Sequence, residues 1–404
     1  ITRIKNNGEM VYTPSGVGAV ATTVQGKLRE SVSVKDFGAV GDGVTDDTAA
    51  IQNALNTLNF VNGNGLTCAV TELVVSANMS LRDITLKGTS SAKIPLKVGS
   101  VGGATYTNTN IRLRDINITG VGSYAFVFSG ATRFNIHNIE VTGFSATNDV
   151  IYLNRLYAGM IDGIRVLGGT TAGASNSCLN LELGVNGLTF NGIYTSAFTK
   201  YGITISGACA SNTFNSPTIQ GHGTAFNIVD AYGLTINSPY TENVVNPFVI
   251  GSGAFTPRSI RVHGGGYISA SVSGIYAADD NKVMILANRG VGVTFDNCFF
   301  PGVTSPSSGK RLASVGNDAV LDLINPLMSV GDLTEPVTSY LYKESGALSL
   351  AGFYVRDTGA IASGGNTELV QIMRTNGGGN GHVISYYNAS NVLTTSTWSP
   401  PSNV

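Results

Sequence analysis

Residues Ser33 to Leu58 read SVKDFGAVGDGVTDDTAAIQNALNTL, and the fold follows from how this stretch is read. Val32 and Val34 are apolar on alternate positions, with Phe37 just beyond, which suits a short strand. Gly38, Gly41 and Gly43 then supply backbone turns that other residues resist. Thr45 is placed to cap a helix, with Asp46 and Asp47 in its first turn, where carboxylates satisfy free N–H groups and complement the helix dipole. Ile51, Ala54, Leu55 and Leu58 recur at helical spacing, and the helix is expected to fade at Asn62 to Gly65. The aspartates are read as caps rather than as a catalytic or metal-binding pair, because capping uses the same oxygens. Nearly everything after this helix reads as short strands, so the stretch is expected to close the open end of a long β-structure.

Composition agrees. The 404 residues include 51 glycines, only 12% are charged, and the formal net charge is −1, which gives no basis for a nucleic-acid partner held by bulk charge. β-Branched residues and turn-formers dominate, as in an all-β chain. No apolar run approaches the ~20 residues that span a membrane, and ITRIKNNGEM has no apolar signal-peptide core. Lacking an initiating Met, the chain is expected to begin mid-protein. Cys68, Cys178, Cys209 and Cys298 are far apart, without CxxC spacing, so they are read as buried, reduced thiols, and no cofactor or metal is expected.

Between residue 111 and about residue 300 a repeat of roughly 22 to 28 residues emerges, the mark of a stacked array. One inward position is Leu113, Ile136, Ile161, Phe190, Phe214, Ile236, Val262 and Phe295. Two residues later comes a bend of small or left-handed-tolerant residues: Asp115, Asn138, Gly163, Gly192, Ser216, Ser238, Gly264 and Asn297. The next position turns inward again, from Ile116, Ile139, Ile164 and Ile193 to Cys298. A second inward ladder pairs Phe126 and Phe128 with Ile151 and Leu153, Leu179 and Leu181, Ile203 and Ile205, Phe226 and Ile228, and Phe248 and Ile250. Such stacks, separated by a tight bend, predict a parallel β-helix with coils rising ~4.8 Å. A propeller or sandwich would need two-residue hairpin turns, which are scarce here.

The segment KDFGAVGDGVTDDTAAIQNAL resembles the opening of the pectate-lyase-like right-handed β-helix superfamily. The preceding VYTPSGVGAVATTVQGKLRESVS (Val11 to Ser33) is similar to the neck found before it in bacteriophage tailspikes. The expected organisation is a neck over 1–32, the opening turn and capping helix over 33–66, a right-handed parallel β-helix over 67–302, a linker with transition strands over 303–337, and a C-terminal β-rich module over 338–404. From Thr338 the apolar/polar alternation with Asn-Gly-rich turns reads as antiparallel, like a small β-sandwich. The resemblance implies that this module holds a homotrimer, with Trp398 at its interface. It also implies a phage-tail or baseplate attachment through a missing N-terminal region, assembly in the bacterial host cytoplasm, and action at the cell surface.

Outward residues beside the bend carry the candidate chemistry. Before it stand Arg114, His137, Asp162, Asn191, Asn215, Asn237, His263 and Asp296. After it stand Asn117, Glu140, Arg165, Tyr194, Thr218, Tyr240, Gly266 and Phe299, and two residues further lie Thr142, Gln220 and Glu242. Aromatic rings with amides and carboxylates suit a sugar chain, so Arg165, Tyr194, Tyr240, His137, Asn191, Asn215 and Asp230 are expected to bind it. Glu140 and Asp162, on adjacent coils, are a candidate acid pair at a separation of roughly 5 to 9 Å. The alternative there is a simple Glu140–Arg165 ion pair. Glu242, beside Tyr240, is a second catalytic candidate, with Asp230 a coil before it and Asp279 and Asp280 a coil after. Gly221-His222-Gly223 and Asn148-Asp149 resemble fragments of the polygalacturonase motif set, but no DD pair lies between them and no RxK follows. His137 and His263 are several coils apart, which argues against a shared metal. The function expected is a tailspike that binds and depolymerises a bacterial surface polysaccharide by hydrolysis. A lyase, with Arg165 neutralising a uronate and Tyr194 or Tyr240 donating the proton, and a non-catalytic adhesin are the alternatives.

Overall fold

The computed structural model describes residues 10–29, 32–103, 105–171, 176–269, 283–303, 311–324, 326–330, 341–343, 347–351, 354–357, 371–374, 382–387 and 393–398. Its main body is a solenoid of parallel strands, each pairing with the strand one coil away rather than with its neighbour in sequence. Three faces recur. Face A precedes the tight bend, face B follows it, and face C carries the second inward ladder. Lower in the stack single strands run through the bend (Arg112–Gly122, Asn135–Thr142, Met160–Thr171). Higher up the bend separates two strands, as in Thr213–Asn215 and Thr218–Gln220, or Thr235–Asn237 and Tyr240–Val244.

The expected register is observed residue for residue. Leu113 to Phe295 pair in one unbroken inward column, all fully buried. The face C pairs from Phe126 to Ile250 do the same. Every bend residue from Asp115 to Asn297 has positive φ, between 45° at Ser238 and 76° at Gly163. Asp83 continues this column one coil lower, with φ 55°. Coils repeat the same inward residue type, so rings stack: Phe190 lies 4.4 Å from Phe214 at 8°, and Phe226 lies 5.0 Å from Phe248 at 5°. Each such ring contributes about 1.5–3 kcal/mol by leaving water.

The opening stretch differs from expectation in detail. The helix runs Thr48–Thr57, and its buried Ile51, Ala54 and Leu55 join the solenoid core. Thr45 does not cap it, lying instead in the strand Asp42–Asp46. The Asp46 carboxylate accepts from the Thr48 N–H at 2.9 Å. Asp47, 2% exposed, faces backwards: it accepts from the Val40 and Gly41 N–H groups at 2.7 and 2.9 Å and clamps the glycine turn. Asn62 to Gly65 are not where the helix fades; they belong to the strand Phe60–Val70. Gln52 and Thr48 then staple the helix to the first coil through Val74 and Thr71.

Within the neck, Val11–Tyr12 pairs antiparallel with Thr22–Thr23, and a short helix follows at Val24–Leu28. At the other end the parallel pairing continues beyond residue 302. Leu341–Lys343, Ala347–Ala351 and Tyr354–Asp357 stack on the coil beneath, so the expected antiparallel reading from 338 does not hold here. Antiparallel pairing begins at Gln371–Arg374, followed by His382–Tyr387 and Leu393–Trp398. The Trp398 side chain, and residues 304–310 of the expected linker, lie outside what is described. All four cysteines are free and buried, and burial pushes the Cys68, Cys209 and Cys298 thiols up to about 12.

Candidate functional site

The two outward columns beside the bend run up the stack on either side of it. On face A, Arg114, His137, Asp162, Asn191, Asn215, Asn237, His263 and Asp296 are successive register partners. On face B, Asn117, Glu140, Arg165, Tyr194, Thr218 and Tyr240 are likewise in register, with Gln220 beside Glu242.

Face B carries a nearly continuous polar track. Thr142 Oγ1 donates to Asn117 Oδ1 and Glu140 Oε1, each at 3.2 Å. Glu140 Oε2 lies 3.5 Å from an Arg165 guanidinium nitrogen, and that guanidinium sits 5.8 Å above the Tyr194 ring. The Tyr194 hydroxyl donates to Gln220 Oε1 at 2.9 Å, and Gln220 Nε2 donates to Glu242 Oε2 at 2.8 Å. Partial desolvation, then the Glu242 carboxylate, push the Tyr240 phenol up. Glu140, Arg165, Tyr194, Tyr240 and Glu242 are thus brought together in one line.

Face A behaves differently. Asn237 donates to Asn215, and Asn215 to Asn191, at 2.9 and 2.8 Å, so these amides are linked head to tail. His137 stands between two carboxylates, Nε2 3.6 Å from Asp162 and Nδ1 3.9 Å from Asp115. His263 Nδ1 meets Asp296 Oδ2 at 3.0 Å. Glu140 and Asp162 each have a basic partner of their own. The ion pair named as the alternative for Glu140 is present.

A concavity of about 240 Å³ opens on the bend in the lower coils. Asp83, Thr85, Asp115, Asn117, Asn138 and Glu140 line it. The Asn138 amide, bonded at 2.8 Å, and then Arg114 hold the Asp115 carboxyl below the usual range. Neither Asp83 nor Asp115 was singled out from the sequence, where Asp115 reads only as a bend residue and Asp83 lies before the repeat as read. Their acidity at consecutive bend positions was the available signal.

Asp230 lies on neither face. It is buried at the corner between faces C and A, where Oδ2 accepts from the Ala208 N–H at 2.8 Å, so it holds a turn. Asp279 and Asp280 lie outside the described residues. His222 is a core residue: its ring nitrogens bond Thr195 and Thr199 at 3.0 and 2.8 Å, and burial pushes its pKa down to about 4. A neutral, enclosed imidazole gives no support to a polygalacturonase role. Among the described residues no group of three or more His, Cys, Asp or Glu side chains is arranged to hold a metal.

The family model "Rhamnogalacturonase A/epimerase, pectate lyase-like" matches residues 31–68, the opening segment. The tailspike of Escherichia coli bacteriophage HK620, as a variant in complex with a hexasaccharide, is similar at a TM-score of 0.53 and 11% identity, over 89% of this chain and 72% of that one. The fold is a right-handed parallel β-helix, shared with that protein. A second HK620 tailspike variant, with a pentasaccharide, gives 0.51 and 12% over the same shares. PfbA, a surface adhesin of Streptococcus pneumoniae, is similar over 90% of this chain and 98% of that one at 13% identity and a TM-score of 0.46. No curated protein matches the sequence.

Proposed function

We propose that this chain is a bacteriophage tailspike that binds a bacterial surface polysaccharide across the bend and shortens it by glycoside hydrolysis. The observation that carries the reading is the track on face B. It continues from an acid- and amide-lined concavity past two outward tyrosines, on a fold shared with a tailspike seen with oligosaccharides. Tyrosine rings suit the apolar face of a sugar, while Asn117, Gln220 and the carboxylates suit its hydroxyls. In this reading the chain works as a homotrimer joined through its C-terminal region and attached to the tail through a preceding segment.

Purified protein is incubated with capsular, O-antigen and exopolysaccharide panels, and binding, new reducing ends and unsaturated-product absorbance are followed. Hydrolysis gives reducing ends without absorbance; absorbance would assign a lyase instead. A non-catalytic adhesin is the second reading. It is favoured by the prior pairing of Glu140 with Arg165, Asp162 with His137 and Glu242 with Gln220. Binding without shortening decides for it, and a protein inert toward every panel overturns both. Tyr194→Ala and Tyr240→Ala should each weaken binding by about 1 kcal/mol, roughly fivefold.

A further inference from the structure

Three consecutive coils on face B present Tyr240, Gly266 and Phe299 to the outside, in register. The middle coil reads His263-Gly264-Gly265-Gly266-Tyr267, and the backbone accounts for only two of its glycines. Gly264 holds the bend at φ 66°. Gly265 has φ 91°, and an added Cβ there would lie 2.2 Å from the Pro239 carbonyl oxygen. Gly266 opens the strand Gly266–Ser269 with neither a positive φ nor a close neighbour, so nothing in the fold requires it to be glycine. A glycine in a strand weakens it, and one that the backbone does not need marks a place where a ligand comes close.

The neighbouring side chains define what the missing one leaves open. Tyr240 and Phe299 are 36% and 37% exposed, so each ring is a large apolar group held at the surface. They stand two coil steps apart, roughly 9–10 Å along the stack. A carbon built on Gly266 would lie 3.9 Å from Tyr240 Cδ2 and 4.0 Å from Phe299 Cδ1. Carbon atoms in ordinary contact are about 3.5–4.0 Å apart, so the gap is one carbon layer wide at its floor. Rings on successive coils of this stack lie near-parallel, at 8° for Phe190 and Phe214 and 5° for Phe226 and Phe248. Rings held that way on either side of Gly266 turn a face each toward the gap. Polar groups stand on both sides of it along the coil. Glu242, two residues past Tyr240, takes Gln220 Nε2 at 2.8 Å, and across the bend His263 Nδ1 meets Asp296 Oδ2 at 3.0 Å.

We propose that Tyr240, Gly266 and Phe299 form a slot that takes one pyranose ring of the polysaccharide edge-on, and that the slot selects a sugar whose hydroxyls are all equatorial. This deepens the polysaccharide reading above and rests on it. A pyranose is one puckered layer of atoms thick, which matches the gap. In the all-equatorial, gluco-type configuration both faces carry only C–H groups, and every hydroxyl lies at the rim, toward Glu242 on one side and the His263–Asp296 pair on the other. An axial hydroxyl, as on the fourth carbon of a galacto-type ring, would be pressed against an aromatic face without a partner, which costs binding. One aromatic wall alone would not discriminate, because the polar face could turn to water.

Gly266→Val fills the slot from its floor at an outward strand position that suits a β-branched residue, and Phe299→Ala removes one wall. Both are made in the full chain, with thermal melting as the check of folding. Binding is measured to the panel polysaccharide that wild type takes, and saturation-transfer NMR is recorded with methyl β-glucopyranoside and methyl β-galactopyranoside as small probes. Gly266→Val is expected to melt at or above wild type and to bind the polysaccharide at least about tenfold more weakly, and Phe299→Ala about fivefold more weakly. Wild type should saturate the glucoside more strongly than the galactoside, and Gly266→Val should lose that difference. Wild-type affinity in either variant overturns the slot and leaves the polysaccharide reading standing. So does a Gly266→Val chain that melts well below wild type, since the fold would then require the glycine. Equal saturation of the two glycosides by wild type overturns the all-equatorial selection. A wild-type chain that takes no polysaccharide from any panel overturns both readings.

Discussion

Replacing Asp47 by alanine tests whether the most catalytic-looking aspartates in the chain are structural. Its carboxylate takes two backbone N–H groups, from Val40 and Gly41, at 2.7 and 2.9 Å, in a place where the side chain is 2% exposed. Hydrogen bonds to a charged acceptor are worth about 1.5–3 kcal/mol each, and a buried donor left unpaired costs a similar amount. Asp47→Ala should therefore lose about 3–6 kcal/mol. Asp46→Ala removes only an exposed acceptor at the helix start, a change of about 1 kcal/mol. The assay is urea unfolding of both variants beside wild type, followed by circular dichroism, with midpoint shifts compared at equal slope. The clamp reasoning fails if the two variants shift the midpoint equally. It also fails if Asp47→Ala abolishes polysaccharide cleavage while leaving the midpoint unchanged, since that would make Asp47 a chemical group.

Phe214→Ala opens a void in the stack against Phe190 and should cost about 3–5 kcal/mol in the same unfolding assay. His222 stays neutral in the folded chain down to about pH 4, whereas the unfolded chain takes up its proton near 6.5. Stability should therefore fall as pH drops from about 6.5 to about 4, by on the order of 3 kcal/mol, and this slope should flatten in His222→Gln when urea midpoints are measured across the range. Native protein should leave Cys68, Cys209 and Cys298 unmodified by a thiol reagent at neutral pH, and all should react once urea unfolds the chain.

The body of the solenoid was legible because two constraints coincide at every coil. Leu113, Ile136 and Ile161 must point inward, and Asp115, Asn138 and Gly163 must take left-handed geometry two residues later. A slip of one residue breaks both, which is why the register could be read to single positions. The end of the solenoid was not legible for the converse reason. Around Leu348 and Leu350 the apolar/polar alternation suits a parallel coil and a hairpin strand equally, although the pairing partners at Leu321 and Leu323 stand one ordinary coil back. The face B column was legible because its outward positions follow directly from the bend. Asp230 misled because its place in the repeat shows the coil it belongs to, not the corner it is buried in.

The helix Thr48–Thr57, stapled across the first coil, also gives the molecule a polarity. A row of unpaired strand groups is a template on which another strand can add. Where the helix covers the first coil that template is blocked, so this end of the stack is a plugged seed. A lesion in the Asp47 clamp would unplug that seed, and its expected signature is end-to-end joining of molecules at their first coils.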